Sequence, residues 1–307
     1  MATTVVGGAP PLTTEYAGGT VAREQVSLWR DGWRRLRRNK LALASVFYLG
    51  FLVLIAIIAF FWTPYKPNFI GACDTYLSPS AGHPLGCDDL GRDALSRLMV
   101  GSQVSLAVGV GTALIVLVLG VVVGLVAGYF RGRVDTVISF IINLFYGGTG
   151  SNPLLIALIL YVLLGPGLLN IMIAIAVVGW MDLARLVRGQ TFSLREREFI
   201  EAARASGAKA GKILFGHIFP NALGPIIVQA TFFIPVAILT EAFLSFLGVG
   251  IPPPQADWGG MASAGLPAIQ FAPHLTLAPS VALSLTLLAF NFFGDGVRDA
   301  FDPRQKR

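Results

Sequence analysis

Six long apolar stretches dominate this 307-residue chain, and polar segments of unequal length separate them. A helix needs about 20 apolar residues to cross the roughly 30 Å hydrocarbon core of a bilayer. The first, second and fifth stretches reach that length, the fourth and sixth are short, and glycines interrupt the third. The pattern predicts an all-α membrane protein with six transmembrane helices, at about 41–62, 104–127, 137–164, 168–180, 226–247 and 277–293.

Composition also indicates a membrane protein and excludes an ordinary water-soluble globule. Hydrophobic residues make up 54% of the chain and charged residues 13%, and the mean hydropathy is +0.69. Soluble domains are about 25% charged. The first apolar stretch is a full span and not the short apolar core of a signal peptide, so we expect it to remain as an uncleaved anchor.

The basic residues predict the orientation. With six spans and the N-terminus inside, 20 of the 23 Lys and Arg residues lie on the cytoplasmic side, and only Lys66, Arg92 and Arg97 lie outside. Because cationic loops resist translocation, we expect both termini in the cytoplasm. The basic cluster before the first span then faces anionic headgroups, so the net charge of +6 needs no nucleic-acid partner.

The chain is predicted to have three parts. Residues 1–40 form a cytoplasmic N-terminal tail, partly disordered and basic near the membrane. Residues 41–293 form the six-helix domain, with an outer loop at 63–103 and a cytoplasmic segment at 181–220. Residues 294–307 form a cytoplasmic C-terminal tail.

The outer loop contains the two cysteines of the chain, Cys73 and Cys87. A disulfide is allowed on that side, and closing a loop of about 15 residues would stabilise the fold by roughly 3 kcal/mol. A metal site with His83 and a pair of free thiols are the alternatives, but three ligands at irregular spacing are a weak metal signal. Asp93 is expected to cap a short surface helix over 94–101.

Two glycine patterns distinguish the second and third stretches. Gly120, Gly124 and Gly128 recur every four residues, which leaves one face of the helix without side chains and allows close packing against a neighbour.

In the third stretch, residues 147–153 are mostly glycine and polar. Irregular backbone at membrane depth has to be buried in protein or line a watery cavity. We therefore predict either a broken helix that faces a pathway or a chain that leaves the membrane there.

A charged, helix-prone segment at 195–220 interrupts the apolar sequence. Ser193 and Glu196 have the spacing of a capping box, which predicts a helix from there to Ser206 that ends at Gly207. A second short helix over 209–217 is expected to lead to a proline at the entry of the fifth span. Such a segment is either a solvated loop stabilised by its own charge pairs or a docking element for a partner.

This segment resembles the motif by which ABC-importer permeases dock onto their ATPase subunits. Glu201-Ala202-Ala203, Gly207 and Pro220 match that motif, whereas His217 and Phe219 replace its Ile and Leu. Three further stretches, at 83–93, 242–250 and 289–304, are similar to the C-type permease subunits of the dipeptide, oligopeptide and nickel branch. The resemblance covers about residues 30–304 in order.

The resemblance implies the type I ABC importer permease fold in the bacterial plasma membrane. It also implies a homologous second permease, two cytoplasmic ATPase subunits or domains, an extracytoplasmic solute-binding protein and a peptide substrate. ATP and Mg would be bound by the ATPase partners, because the only stretch here that approaches a P-loop is one residue short and lacks the Ser or Thr. The residues expected to couple to the ATPase are Glu198, Glu201, Ala202, Ala203, Arg204 and Gly207.

Polar residues within the apolar stretches are candidates for the translocation pathway. Glu241 is the carboxylate deepest in a long apolar run, and Thr240 precedes it. A buried charge in a membrane normally faces protein or water, so Glu241 either contacts a peptide ammonium or pairs with another helix. Asn143 and Asn152 are further candidates. A secondary transporter and an intramembrane hydrolase are the rival classes, but the chain shows neither an inverted repeat nor a hydrolase motif.

Overall fold

The computed structural model describes residues 39–147 and 153–301, and within them every regular element is helical. Ten α-helices follow one another along these residues. They are α1 (Lys40–Phe61), α2 (Ala94–Phe130), α3 (Gly132–Gly147), α4 (Pro153–Leu164), α5 (Leu168–Arg195), α6 (Glu198–Ala205), α7 (Ala210–Ile213), α8 (Phe219–Phe246), α9 (Trp258–Gly265) and α10 (His274–Phe301).

Five helical units in the described residues are long and apolar enough to cross a membrane. These are α1, α2, α5, the continuous unit Ala210–Phe246 and α10. The third predicted span is divided into α3 and α4, which has 12 residues. Most of the predicted interruption lies outside the described residues, so whether the helix is broken at a pathway stays a prediction.

Two helices extend further than the apolar pattern predicts. The predicted surface helix at 94–101 is not separate, because α2 runs without a break from its Asp93 cap to Phe130 and Gly101 packs against Trp258. Likewise α5 does not end near 180, because its polar continuation is still helix-forming and reaches Arg195. Hydropathy alone marks where a helix becomes polar and not where it ends.

The glycine stripe of α2 packs against α5, as predicted. A β-carbon at Gly120 would lie 2.8 Å from the Leu183 Cβ, and one at Gly128 would lie 2.5 Å from the Thr191 Cβ. Because these distances leave no room for a side chain, the two helix backbones are in close contact along this stripe. This contact is the central packing interface of the bundle.

The two ends of the bundle differ. At one end lies the segment of residues 62–93 between α1 and α2, which we call the cap, together with α9. At the other end lies α6, where α2 ends and α3 begins. The Sγ atoms of Cys73 and Cys87 are bonded in the cap, with their Cα atoms 6.4 Å apart. The helix α2 runs from the cap at one end to the end that carries α6 at the other.

Candidate functional site

The helix α6 begins later than the sequence predicts. Ser193 lies inside α5 and Glu196 is the residue that ends it, so the expected capping box does not form. Instead Arg197 precedes α6 and makes no side-chain capping hydrogen bond. The Glu196 carboxylate accepts a hydrogen bond from Arg131 at 2.5 Å, which places its charge at the end of α2 and not at the start of α6.

One face of α6 is buried and the other is exposed. Ile200 is fully buried in the apolar cluster that contains Leu125 of α2 and Val187 of α5, and Ala203 packs against the same cluster. The adjacent Phe199 is 43% exposed. The predicted coupling residues on the open face are also exposed, namely Glu198, Glu201, Ala202 and Arg204. A partner can therefore reach charged, apolar and small side chains on a helix that is seated in the bundle.

A sharp bend follows α6, as predicted. Gly207 has a φ of +78°, the left-handed conformation that glycine adopts without steric cost. The amide of Gly207 donates to the Arg204 carbonyl at 2.9 Å, and the amide of Ala208 donates to the Ala203 carbonyl at 3.0 Å. These two bonds satisfy carbonyls at the end of the helix and fix the direction in which the chain leaves it.

The second arm of the bend is continuous with a membrane helix. Residues Ala210–Ile213 form α7, Leu214–Ile218 form a π-helical turn, and α8 follows directly. The predicted separate helix over 209–217 is therefore the first part of a 37-residue unit. Ile213, Leu214 and Ile218 are buried in the same apolar cluster as Ile200, so α6 and the segment that leads into α8 share one core.

Arginines hold this end of the bundle together. Arg195 donates to the Tyr129 carbonyl at 2.6 Å, and the guanidinium groups of Arg195 and Arg204 lie over the Tyr129 ring. Arg188 forms a two-bond ion pair with Asp135 of α3. The end of α5, the end of α2 and the start of α3 are thus connected around α6.

The candidate pathway residues lie in different surroundings. Thr240 is half-buried, donates to the Val236 carbonyl at 2.8 Å and lines a cavity of about 130 Å³ between α4, α5 and α8. Asp182 lines the same cavity and is exposed, and sequence reasoning did not single it out. Asn143 is exposed on α3 and accepts a hydrogen bond from Arg185 at 3.4 Å. Asn152 lies outside the described residues.

Glu241 is buried within the chain and does not reach a surface. Its carboxyl group accepts a hydrogen bond from Ser245 at 3.0 Å and is within hydrogen-bonding reach of the Asp257 carboxyl. In this structure Glu241 therefore matches the other alternative, a pairing with another helix. Asp257 caps α9 by accepting from the Gly260 amide at 2.7 Å. Burial raises the pKa of Asp257, while the Gly260 amide, Ser245 and the charge of Arg97 oppose that rise.

Sequence reasoning missed α9 and Asp257, although a signal was present. Asp257 stands directly before Trp-Gly-Gly and three residues after a run of prolines, which is the position of an N-cap after a helix break. The stretch is too short and too rich in glycine to register as a span. Its partner Glu241 lies 16 positions earlier, so only the fold reveals the pair.

The cap is stabilised by a buried carboxylate. Asp93 is fully buried, accepts from the Ser96 amide at 2.8 Å and from the Ser96 hydroxyl at 2.7 Å, and pairs with His83 at 2.8 Å. The ligand atoms of Cys73, His83 and Cys87 lie within 4.8 Å of one another. Because the two sulfurs are bonded to each other, they do not act as thiolate ligands here.

These features define a helical membrane protein whose bent polar segment is packed onto its spans, and sequence comparison identifies the class. The chain belongs to the family described as binding-protein-dependent transport system inner membrane components, which matches residues 120–307. A second profile, the N-terminal TM domain of oligopeptide transport permease C, matches residues 27–79. The chain is therefore a permease subunit of a bacterial ABC importer, a multi-pass inner-membrane protein without ATPase activity of its own.

Several curated relatives are similar over nearly their whole length. The dipeptide transport system permease protein DppC of Bacillus subtilis is 44% identical over 94% of this chain and 89% of its own. The oligopeptide transport system permease protein OppC of the same organism is 39% identical over 94% and 93%. The glutathione transport system permease protein GsiD of Pectobacterium atrosepticum is 39% identical over 91% and 92%. The resemblance inferred from the motifs is confirmed. Membership of this class implies a partner permease, an ATPase and a binding protein.

Proposed function

We propose that this chain imports di- or oligopeptides as one half of a heterodimeric permease. The support for a peptide cargo is the similarity to permeases named for dipeptides, oligopeptides and glutathione, which share a peptide-like backbone. The partners proposed are a homologous second permease, two cytoplasmic ATPase subunits or domains, and an extracytoplasmic solute-binding protein.

The proposed topology has six spans, with α3 and α4 together forming the third. In this arrangement both termini and α6 face the cytoplasm, and the cap faces outward. The charge distribution supports it, because 20 of 23 Lys and Arg residues then lie inside. A reporter protein that fluoresces only in the cytoplasm should fluoresce when it is fused after Arg307. A reporter enzyme that is active only in the periplasm should be inactive at the same position. The reverse pattern would refute the topology.

The proposed mechanism is alternating access driven from α6. Closure of the ATPases would displace α6, and the shared apolar cluster would transmit the displacement to α2, α5 and the start of α8. The coupling residues proposed are Glu198, Glu201, Ala202, Ala203, Arg204 and Gly207. The observation that carries this mechanism is that α6 exposes one face while Ile200 anchors the other.

The residues proposed to line the translocation pathway are Thr240 and Asn143, together with Asn152, which lies outside the described residues. The exposed carboxylate of Asp182, in the same cavity as Thr240, is the residue here with the charge needed to attract a peptide ammonium. Glu241 is not proposed as a direct contact, because it is buried.

The experiment is uptake by the complete reconstituted complex in proteoliposomes. A radiolabelled dipeptide and a tetrapeptide should accumulate only with ATP and with the binding protein, and an ionophore that collapses ion gradients should not stop uptake. Uptake that follows the ion gradient and ignores ATP would favour a secondary transporter. If the binding protein stimulates ATP hydrolysis by the complex but neither labelled peptide accumulates, the ABC mechanism stands and only the proposed peptide cargo is refuted.

A second arm tests the coupling surface. Ala202→Arg adds a bulky cation to the exposed face of α6 and leaves Ile200 in place, so transport should fall by about tenfold, equivalent to about 1.4 kcal/mol. The matched control is Thr136→Arg, an exposed position at the same end of the bundle but outside α6. Equal effects of both variants would contradict a specific role of α6.

A further inference from the structure

The cap end of α8 is in unusually close contact with the first turn of α9. A β-carbon at Gly259 would overlap the Ala242 carbonyl oxygen and lie 2.6 Å from the Ala242 Cα, so this position accepts no side chain. Trp258 anchors the same turn by donating from Nε1 to the Leu98 carbonyl of α2 at 3.1 Å. Helix α9 is therefore held against both α8 and α2.

Two carboxyl groups are buried beside this contact. Glu241 of α8 is 0% exposed and Asp257 before α9 is 3% exposed. Ser245 donates to Oε1 of Glu241, whereas Oε2 is buried and has no donor among the residues that the structure describes. Buried polar atoms without a partner are rare in native proteins. The neighbouring Asp257 carboxyl supplies only acceptors unless one of the two groups carries a proton.

One proton satisfies both groups. Two adjacent carboxylates cannot both ionise in a buried site, because their repulsion adds to the cost of desolvation. The surroundings favour the charge on Asp257, which accepts from the Gly260 amide and interacts with the Arg97 guanidinium. Glu241 accepts from the neutral Ser245 hydroxyl and has no cation of its own within the described residues. The proton therefore belongs on Glu241, which donates it to Asp257.

We propose that Glu241 and Asp257 are positioning residues for transport, which hold α9 against α8 through one shared proton carried by Glu241. The contact borders a cavity of about 630 Å³ at the cap end, lined by Tyr161 of α4, Ser245 of α8, Gly250 and Gly260. Tyr161 donates to the Gly250 carbonyl at 2.6 Å and so fixes the opposite wall. Loss of the pair would release α9 and change the shape of this cavity.

The charged groups around the pair determine the direction of its pH dependence. Arg97 of α2 faces Asp257, lies 3.5 Å from Asp88 of the cap and also faces Asp89, so its single charge already faces three carboxylates. The neighbouring Arg92 pairs with Asp88 at 2.7 Å and with Asp89 at 3.6 Å. Ionisation of Glu241 would add a fourth carboxylate to this group and no further cation. The contact is therefore intact at neutral pH and weakens as the pH on the cap side rises.

The test compares Glu241→Gln with Asp257→Asn in the reconstituted complex. The Gln amide still donates to Asp257, so Glu241→Gln should transport as the wild type does at neutral pH and should lose less activity at alkaline pH. Asp257→Asn keeps a side-chain oxygen that caps α9 but removes the negative charge that faces Arg97. Its transport should therefore fall by about tenfold, equivalent to about 1.4 kcal/mol, at neutral pH. The asymmetry between the two variants is the signature of the proposed proton position.

A readout independent of transport keeps this proposal separate from the proposed function. The melting temperature of the complex should fall between neutral and alkaline pH in the wild type and fall less in Glu241→Gln. If peptides are not transported but this difference is present, the proposed cargo is wrong and the acid pair stands. The proposed acid pair is refuted if Glu241→Gln has the same pH profiles of melting and transport as the wild type. It is also refuted if Asp257→Asn transports as well as the wild type does.

Discussion

Gly124 on α2 lies so close to Val187 on α5 that a β-carbon at Gly124 would stand 2.6 Å from the Val187 Cβ and 2.7 Å from the Ala184 carbonyl oxygen. The Ala184 carbonyl oxygen belongs to the backbone and cannot rotate away, unlike a side chain. The two helices therefore depend on the missing side chain, and their contact connects the middle of the bundle to the end that carries α6.

The first prediction concerns this contact. Gly124→Ala should force α2 and α5 apart and destabilise the protein by about 1–3 kcal/mol. The matched control is Gly189→Ala on α5, where a β-carbon meets nothing within 4 Å. That control should be neutral or stabilising by up to about 1 kcal/mol, because alanine is the better helix former. Thermal unfolding in nanodiscs measures both, and equal melting temperatures would contradict the close packing.

The second prediction distinguishes the buried face of α6, which packs on the bundle, from its exposed face. Ile200→Ala removes a fully buried side chain from the cluster beneath α6 and should cost about 2–5 kcal/mol. Phe199→Ala changes the neighbouring exposed residue and should alter stability by less than about 0.5 kcal/mol. It should nevertheless weaken ATPase association, measured by co-purification. A stable Ile200→Ala protein, or a Phe199→Ala protein that retains all its ATPase, would contradict this division.

The third prediction concerns the cap. Because the Cys73–Cys87 bond closes a loop with a sequence separation of 14, replacing both cysteines with serine should destabilise the cap by about 3 kcal/mol. A dithiol reductant should produce the same effect in the wild type and none in the double variant. Hydrogen exchange of residues 62–93, followed by mass spectrometry, localises the change. Unchanged exchange after reduction would show that the bond does not constrain the cap.

The fourth prediction concerns the start of α2. Asp93→Ala leaves the Ser96 amide, the Ser96 hydroxyl and His83 without their acceptor and should cost about 1–3 kcal/mol. Asp93→Asn keeps an N-cap acceptor and should cost less. Asp89→Ala is the control, since Asp89 is exposed in the same loop. Similar melting temperatures for Asp93→Ala and Asp89→Ala would contradict the role given to the buried carboxylate.

The sequence correctly predicted those structural features that depend only on neighbouring residues. The stripe of Gly120, Gly124 and Gly128 predicted a helix contact because glycines at intervals of four leave one face of a helix without side chains, and a neighbouring helix can then approach closely. Gly207 was predicted as the bend because glycine has no Cβ to oppose a positive φ. Asp93 was predicted as a cap because a short acceptor before a helix binds its free amides. In each case the sequence neighbourhood contains the whole physical cause.

Patterns failed where a distant residue decided the outcome. Glu196 fits a capping box by spacing, but Arg131, 65 positions away, binds its carboxylate. Glu241 was considered as a substrate contact because its run is apolar, but Asp257 and Ser245 enclose it. Hydropathy likewise placed the end of α5 near 180, because polar residues can continue a helix beyond the membrane. Only the fold brings these groups together.

Cross-linking from α6 tests the central claim most directly. A photoreactive amino acid at position 202, on the exposed face of α6, should capture the ATPase subunit in native vesicles. The same amino acid at position 78, exposed in the cap, should not. Capture of a nucleotide-hydrolysing subunit from position 202 alone is the result expected for a permease driven through α6. Active transport without any ATPase captured from position 202 would contradict it.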